Sequence, residues 1–277
     1  MTSTILVDGG RSNDRALLSS AEDEMQRALK DEPNLARAHA GFATIYVMQG
    51  RKELVPAEVE QVEKTNPGDE DASNALMTYL YLNEEYAAAL RLGQRVLERL
   101  PLFFPDRMAI GEILRQQGDL AGALREQEKI LDQDSQNLYA LTYLARAHMD
   151  SGDLVRARQS LERVRPADRQ NYRVRRTWAI LLALEGKRAA AVKEMDDEVL
   201  KWEALVAYET SEAADFYAVL NEPSKALDWL DQAVRSGDER AEWFRRDPLL
   251  IQIRDQPRFQ QILESITYRR QQRKPLR

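Results

Sequence analysis

Few side chains in this sequence are of the kinds that carry out chemistry. Cysteine is absent, which excludes disulfides, thiolate metal sites, iron–sulfur clusters and cysteine nucleophiles. His39 and His148 are the two histidines, and they lie in distant parts of the chain. Asp196, Asp197 and Glu198 form an acidic run that lacks the alternate spacing and the glycine of a calcium-binding loop. We therefore expect no bound metal, interpret both histidines as packing residues, and interpret the acidic run as a solvated helix face.

Sequence motifs that support catalysis are also missing. The phosphate-binding loops Gly-x-x-x-x-Gly-Lys and Gly-x-Gly-x-x-Gly do not occur, and neither does the zinc motif His-Glu-x-x-His. A catalytic serine triad needs a partnered histidine, for which the order of residues gives no candidate. The sequence therefore predicts a protein that is not an enzyme and that uses no cofactor.

The charge balance argues against a nucleic-acid-binding protein. Among 277 residues, 40 lysines and arginines stand against 46 aspartates and glutamates, which gives a net charge of -6. The stretch from Arg269 to Arg277 holds five positive charges, and charge alone could bring it to nucleic acid or to an anionic membrane. No aromatic residues are interleaved there to stack on bases, so we interpret it as a basic disordered end.

Apolar runs in the chain are short. The longest, from Trp178 to Leu184, has seven residues, whereas a membrane-spanning helix needs about 20. The apolar stretch near the N-terminus, Ile5 to Val7, is too short for the core of a signal peptide. We expect a cytoplasmic protein without a membrane span.

One period of 34 residues runs through the sequence. Three residue classes obey it, namely Pro33, Pro67 and Pro101, then Gly50, Gly118, Gly152 and Gly186, and finally Ala89, Ala123, Ala157 and Ala191. Within one period the apolar residues recur at steps of three and four, which indicates two amphipathic helices. Repetition of such a unit predicts a stack of helical hairpins.

Each periodic residue has a physical role in a hairpin of this kind. Glycine fits the end of the first helix, because it adopts a left-handed backbone without a steric penalty. Alanine fits the second helix at the point where two helices cross closely. Proline ends the second helix, since it lacks an amide hydrogen and clashes with the preceding turn.

A 34-residue helix–turn–helix unit with these features resembles the tetratricopeptide repeat. In the unit that begins at Ala36, the signature positions of that family hold Phe42, Ala43, Tyr46, Gly50 and Pro67. In the unit that begins at Leu138, they hold Leu144, Ala145, Gly152 and Ala157. One departure is Glu84, which stands where glycine is usual. The resemblance implies an all-α fold, a right-handed α-solenoid of about seven helix pairs.

The C-terminal part departs from the repeat and is rich in aromatic residues and proline. A stack of hairpins leaves an apolar face at each end, which a terminal segment must cover. The segment around Asp247 and Pro257 resembles those that close such arrays in bacterial signalling proteins. We therefore expect a flexible N-terminal arm at residues 1–12, the repeat array at 13–240, capping helices at 241–268 and the basic tail at 269–277.

The resemblance also implies a binding surface, because the first helices of tetratricopeptide units line a concave channel. The positions that face this channel in the family correspond here to Thr44, Asn74, Thr78, Tyr81, Glu112, Arg115, Tyr139, Thr142, Arg146, Arg173 and Arg176. The same rule adds Met48, Met108, Gln116, Met149, Tyr208, Ser211 and Asp215. Arg146, Arg173 and Arg176 come from adjacent units, and guanidinium groups bind carboxylates in a bidentate manner.

The resemblance favours a scaffold or adaptor that binds a protein or peptide in this channel, with an acidic segment as a candidate ligand. Two other hypotheses stay open at this point. The chain could be the regulatory or sensor part of a bacterial signalling or transcription system, or an enzyme with an unrecognised site in the groove.

Overall fold

The computed structural model describes residues 15–205 and 209–272, and within these ranges the chain forms helices and no strand. The α-helices are α1 (Arg15–Asp31), α2 (Ala36–Met48), α3 (Val55–Thr65), α4 (Glu70–Leu82), α5 (Tyr86–Arg99), α6 (Phe104–Gln116), α7 (Leu120–Leu131), α8 (Leu138–Asp150), α9 (Leu154–Glu162), α10 (Tyr172–Leu184), α11 (Arg188–Glu194), α12 (Asp197–Leu205), α13 (Ser211–Val219), α14 (Pro223–Arg235), α15 (Ala241–Arg246) and α16 (Pro257–Gln272). Short 3-10 turns cover Lys52–Leu54, Pro166–Asp168 and Pro248–Ile253. The predicted N-terminal arm lies outside the described residues.

The helices are arranged as a stack of hairpins. Six hairpins are present in the described ranges, namely α2/α3, α4/α5, α6/α7, α8/α9, α10/α11 and α13/α14, and α1 packs on α2 ahead of them. The first helices of successive hairpins also pack on one another, which places them on the inner side of the array. This arrangement confirms the predicted all-α helical repeat fold.

The turn inside each hairpin needs a left-handed backbone. Gly50, Gly118 and Gly152 have φ angles of 73°, 87° and 79°, as their spacing predicts. Glu84 and Asn221 occupy the corresponding turns with φ angles of 61° and 56°. Because a residue with a Cβ is strained in this region, something else must favour the side chains at these two positions.

One second helix differs from the expected form. After α10 it is split into α11 and α12, with Asp196 between them. The carboxylate of Asp196 accepts the backbone amide of Val199 at 3.1 Å and so starts a new helix. Asp196 also accepts a hydrogen bond from Arg175 at 2.7 Å. Asp197 and Glu198 of the acidic run are exposed in the first turn of α12, as we interpreted, whereas Asp196 starts that helix.

The C-terminal segment returns to the first hairpins. Gly237 lies so close to Gly50 that a Cβ on it would be 3.0 Å from the Gly50 carbonyl oxygen. The amide of Glu239 donates to the carbonyl of Leu82 at 3.3 Å, and the Lys52 ammonium lies 3.4 Å from the Glu239 carboxylate. We call this contact, made by Gly237 to Arg240 with the turns of α2/α3 and α4/α5, the closure.

The closing helix extends further than the sequence suggests. We expected the capping helices to end at residue 268, but α16 continues to Gln272. Arg270 donates to Glu84 at 3.0 Å, and Arg269 donates to the carbonyl of Val234 at 2.7 Å. These two arginines are part of the closure and cap, not of a disordered basic tail. Residues 273–277 lie outside the described ranges.

The helix crossing at Ala157 provides a test of the register. Ala157 is fully buried, so Ala157→Leu overpacks the crossing and should lower the free energy of unfolding by about 1–3 kcal/mol. Val155 lies on the same helix and is 68% exposed, so Val155→Leu serves as the matched control and should have little effect. Urea unfolding followed by circular dichroism measures both, and equal stabilities would contradict the assigned register.

The two strained turns should respond in opposite directions to glycine. The Glu84 carboxylate accepts the Trp243 amide at 2.9 Å and Arg270 at 3.0 Å, so Glu84→Gly removes both acceptors and should cost about 1–3 kcal/mol despite the relief of strain. Asn221 is exposed, and Asn221→Gly should leave the stability unchanged or raise it by up to about 1 kcal/mol. Chemical denaturation of both variants checks this, and a stabilised Glu84→Gly protein would refute it.

Candidate functional site

The inner side of the array contains a cavity of about 150 Å³. Its lining residues are Asn74, Thr78, Tyr81, Pro105, Met108, Ala109, Glu112, Tyr143, Arg176, Glu209, Glu212 and Arg240. Six of the predicted channel residues are among them, which shows that the repeat spacing brings distant parts of the chain to one place. Arg240 and Glu209 also line the cavity, and the sequence analysis did not predict them.

Tyr81 is at the centre of a polar network in this cavity. Its hydroxyl lies 3.2 Å from the Glu112 carboxylate and accepts hydrogen bonds from Gln116, at 2.5 Å, and from Arg240. The Arg240 guanidinium also stacks on the Tyr81 ring, with its central carbon 4.7 Å from the ring centroid. Burial raises the pKa of Tyr81 well above its usual value, so the phenol stays protonated. The network holds the closure against α4.

The predicted threonines donate within their own helices. The hydroxyl of Thr44 donates to the carbonyl of Ala40 at 3.1 Å, and that of Thr78 donates to the carbonyl of Asn74 at 3.0 Å. Thr142 is buried and donates to the carbonyl of Tyr139 at 2.8 Å. Their hydroxyl oxygens keep lone pairs, so at the cavity Thr78 can act as an acceptor.

The three arginines that the sequence placed together do meet, and each is paired within the chain. Arg146 donates to Glu212 at 2.5 Å and to Asp215 at 2.9 Å. Arg176 donates to Glu209 at 2.7 Å, and Arg173 donates to the same carboxylate at 2.9 Å. The carboxylates that we assigned to a partner are therefore supplied by the chain itself.

Two further predicted residues have similar intramolecular roles. Arg115 donates to both oxygens of Glu112, at 2.7 and 2.8 Å, pairs with Asp150, and lies over the Trp243 ring with its central carbon 4.7 Å from the centroid. Tyr139 lies outside the cavity, where the Arg173 guanidinium is 5.4 Å from its ring centroid. Tyr208, a further channel position, lies outside the described residues.

Carboxylates outnumber guanidinium groups in the arginine cluster. Burial, together with repulsion from Glu209 and Glu212, raises the pKa of Glu203 to about 8, although Arg176 lies 3.0 Å away. Burial would also raise the pKa of Glu212, but Arg146 and Arg176 hold it at about 2. One buried carboxyl thus keeps its proton near neutral pH while its neighbour is ionised. The arginines of this cluster are each already engaged by a carboxyl group of the chain, which weakens their attraction for an added anion.

Sequence reasoning missed most of the acidic partners of these arginines, although a signal was present. Glu209, Glu212 and Asp215 recur at a spacing of three, which places them on one face of a helix. Arg173 and Arg176 have the same spacing one unit earlier. Matching rows of opposite charge on neighbouring repeat units indicate an internal ladder of ion pairs.

The histidines take different positions. His148 is 9% exposed, and burial lowers its pKa. His39 is held on both sides of its ring, with Nδ1 2.7 Å from the Glu58 carboxylate and Nε2 3.0 Å from the Pro33 carbonyl. Both histidines thus lie against neighbouring parts of the array.

Asp106, beneath the cavity, should give the protein a measurable pH dependence. It is fully buried, accepts the Asn74 amide at 2.9 Å through one oxygen, and has a pKa that burial raises to about 7. The folded chain therefore binds this proton more tightly than the unfolded chain, and the stability it contributes is lost as pH rises from about 4 to 7. In Asp106→Asn, the decline in unfolding free energy between about pH 5 and pH 8 should shrink by roughly 1–3 kcal/mol. Urea titrations at the two pH values test this, and identical profiles would contradict it.

Comparison with known proteins identifies the repeat. Residues 114–196 match the family model described as tetratricopeptide repeat. Cellulose synthase 1 operon protein C of Komagataeibacter xylinus is 27% identical over 161 residues, which cover 54% of this chain and 12% of that protein. In the described part of this chain, every helix is too short or too polar to cross a lipid bilayer.

Solved structures share the fold at low sequence identity. The Cut9–Hcn1 hetero-tetramer of the APC/C superposes with a TM-score of 0.58 at 12% identity, over 96% of this chain and 58% of that chain. PilF of Pseudomonas aeruginosa superposes with a TM-score of 0.50 at 19% identity, over 70% of this chain and 86% of that one. The family match shows a tetratricopeptide repeat within residues 114–196. The hairpins with their left-handed turns and the solved structures show the same kind of helical repeat fold along the described chain.

Proposed function

We propose that the protein is a non-catalytic interaction scaffold that holds a segment of a partner protein at the cavity on its inner side. The observation that supports this is the cavity itself, whose lining comes from successive first helices and the closure. Its volume of about 150 Å³ is enough for a group the size of a benzene ring. One partner side chain is therefore anchored there, and the flanking segment lies along the channel.

The chemistry of the lining favours a neutral side chain over an acidic one. Arg176 and Arg240 are already engaged by carboxylates of the chain. Met108 and the Tyr81 ring supply apolar contact, while Asn74 and Thr78 supply polar atoms at the edge. Pairing with internal acids removes the attraction for carboxylates that we first expected, so the partner segment need not be acidic.

The structural neighbours are compatible with a scaffold, because the Cut9–Hcn1 structure is itself a complex of a chain of this fold with another protein. The regulatory role in a bacterial signalling system stays an alternative, in which the same channel binds the regulated protein. The enzyme alternative requires turnover, which a scaffold lacks. The cytoplasmic location stays a prediction.

Filling the cavity tests the proposal. Thr78→Phe places an aromatic ring in the cavity. The hydroxyl that this change removes donates to the Asn74 carbonyl of the same helix, so the variant should keep the fold. Proteins retained by the wild type from lysate of its own source, identified by mass spectrometry, should be lost with Thr78→Phe. Val155→Phe, on an exposed position of α9, is the matched control and should retain them. Equal retention by Thr78→Phe and the wild type, at equal melting temperatures, would exclude the cavity as the binding site.

A further inference from the structure

The loop between α5 and α6 exposes apolar side chains to solvent. Leu102 is 70% exposed, Leu100 is 39% exposed and Phe104 is 36% exposed. Scattered apolar residues are common on protein surfaces, but three within the five positions from Leu100 to Phe104 need a reason. We call Leu100, Leu102 and Phe104 the apolar edge.

The repeat pattern shows that this loop is unusual within its own chain. The position of Leu102 is occupied in the other units by Asn34, Gly68, Gln136 and Gln170. These are residues that suit solvent-exposed connections. A leucine at this position is therefore a departure that the fold itself does not require.

The same loop provides no side-chain cap for the helix that follows it. Asp69, Asn137 and Asn171 begin their helices by accepting a backbone amide through the side chain. Phe103 occupies the corresponding position ahead of α6 and makes no such hydrogen bond. Leu35 is also uncapped, but it packs into an apolar cluster with Phe42. An apolar loop at the expense of a cap indicates that a different interaction favours these residues.

A cavity of about 450 Å³ lies directly beside the apolar edge. Pro101, Leu102 and Phe104 line it on one side. Ile130 near the end of α7 lines it on the other side, together with Asp132 and Asp134 of the connection that follows. None of its lining residues belongs to the lining of the inner cavity. The two sites are therefore separate.

The charges around this second cavity are not balanced. Both of its cations, Arg107 and Lys129, pair with the same residue, Glu126, at 2.8 and 2.6 Å. Among the described residues, no lysine or arginine lies within ion-pair distance of Asp132 or Asp134. Among the lining residues, the charges without an ion-pair partner are thus the negative ones of Asp132 and Asp134.

We propose that the apolar edge and its cavity form a second docking site, which binds a partner protein segment with one apolar side chain flanked by lysine or arginine. The apolar side chain enters the cavity against Leu102 and Phe104, and the basic flanks meet Asp132 and Asp134. This site is independent of the inner channel, so the scaffold holds two partners, or two segments of one partner, at the same time.

Selection from a phage-displayed library of random 12-residue peptides tests the proposal on the full chain. Peptides retained by the wild type, but not by Leu102→Ser, should carry Leu, Ile or an aromatic residue next to Lys or Arg. Synthetic versions should bind at least about tenfold more weakly to Leu102→Ser and to Asp132→Asn/Asp134→Asn, as measured by fluorescence anisotropy. Their affinity should fall as salt rises, because exposed charges are screened.

Val155→Ser serves as the control for the loss of an exposed apolar side chain and should bind like the wild type. Selected peptides with acidic flanks, or no peptides that depend on Leu102, would overturn the proposal. In sedimentation, the wild type should not form a dimer that is lost in Leu102→Ser. Such a dimer would mean that the site binds a second copy of the chain. Thr78→Phe changes the inner cavity and leaves this second site intact. The two variants therefore show separately whether each proposed site binds a partner.

Discussion

The closure between the C-terminal segment and the first hairpins determines the form of the array. Arg240 is the central residue, because it stacks on Tyr81, pairs with Asp238 and donates to Ser211 at 3.0 Å. These partners belong to three different parts of the chain, and Arg240 and Asp238 are both buried. A buried charge that loses its partner is strongly destabilising, so we expect the interactions of Arg240 to form together or to be lost together. A helical stack that would otherwise be free to flex is thereby held at one curvature.

Neutralisation from within determines the chemistry of the inner surface. Arg146, Arg173 and Arg176 would form an anion-binding surface if they were alone, but the turn at Glu209 and the helix that follows bring carboxylates onto them. Buried ion pairs do not necessarily add stability, because both charges lose their hydration. They do fix the position of α13 relative to α8 and α10. The charges of the inner surface thus fix the relative positions of its helices, and the groups that stay available at the cavity are polar and apolar.

The sequence predicts the hairpins well, because their signals are local. A glycine at a turn and an alanine at a crossing each report a backbone or packing requirement within one unit, and the period repeats that information along the chain. The ion pairing of the arginines could not be predicted in the same way. Spacing predicts the helix face on which Arg146 lies, but not the distant carboxylates that it contacts. Glu84 shows the same limit. It departs from the glycine pattern, and its reason is an amide 159 positions later in the chain.

In open solenoids each repeat contacts only its neighbours, so units can be gained or lost while the remainder keeps its structure. The close approach of Gly237 to Gly50 removes that freedom here. Adding or deleting one hairpin would rotate and shift the C-terminal segment away from the turns it must meet, and Lys52 and Glu239 would be left buried apart. The closure therefore fixes the number of hairpins between Gly50 and Gly237, as closure fixes the strand number of a barrel. Lineages that carry the closure should vary in loop length but not in the number of units between these two turns.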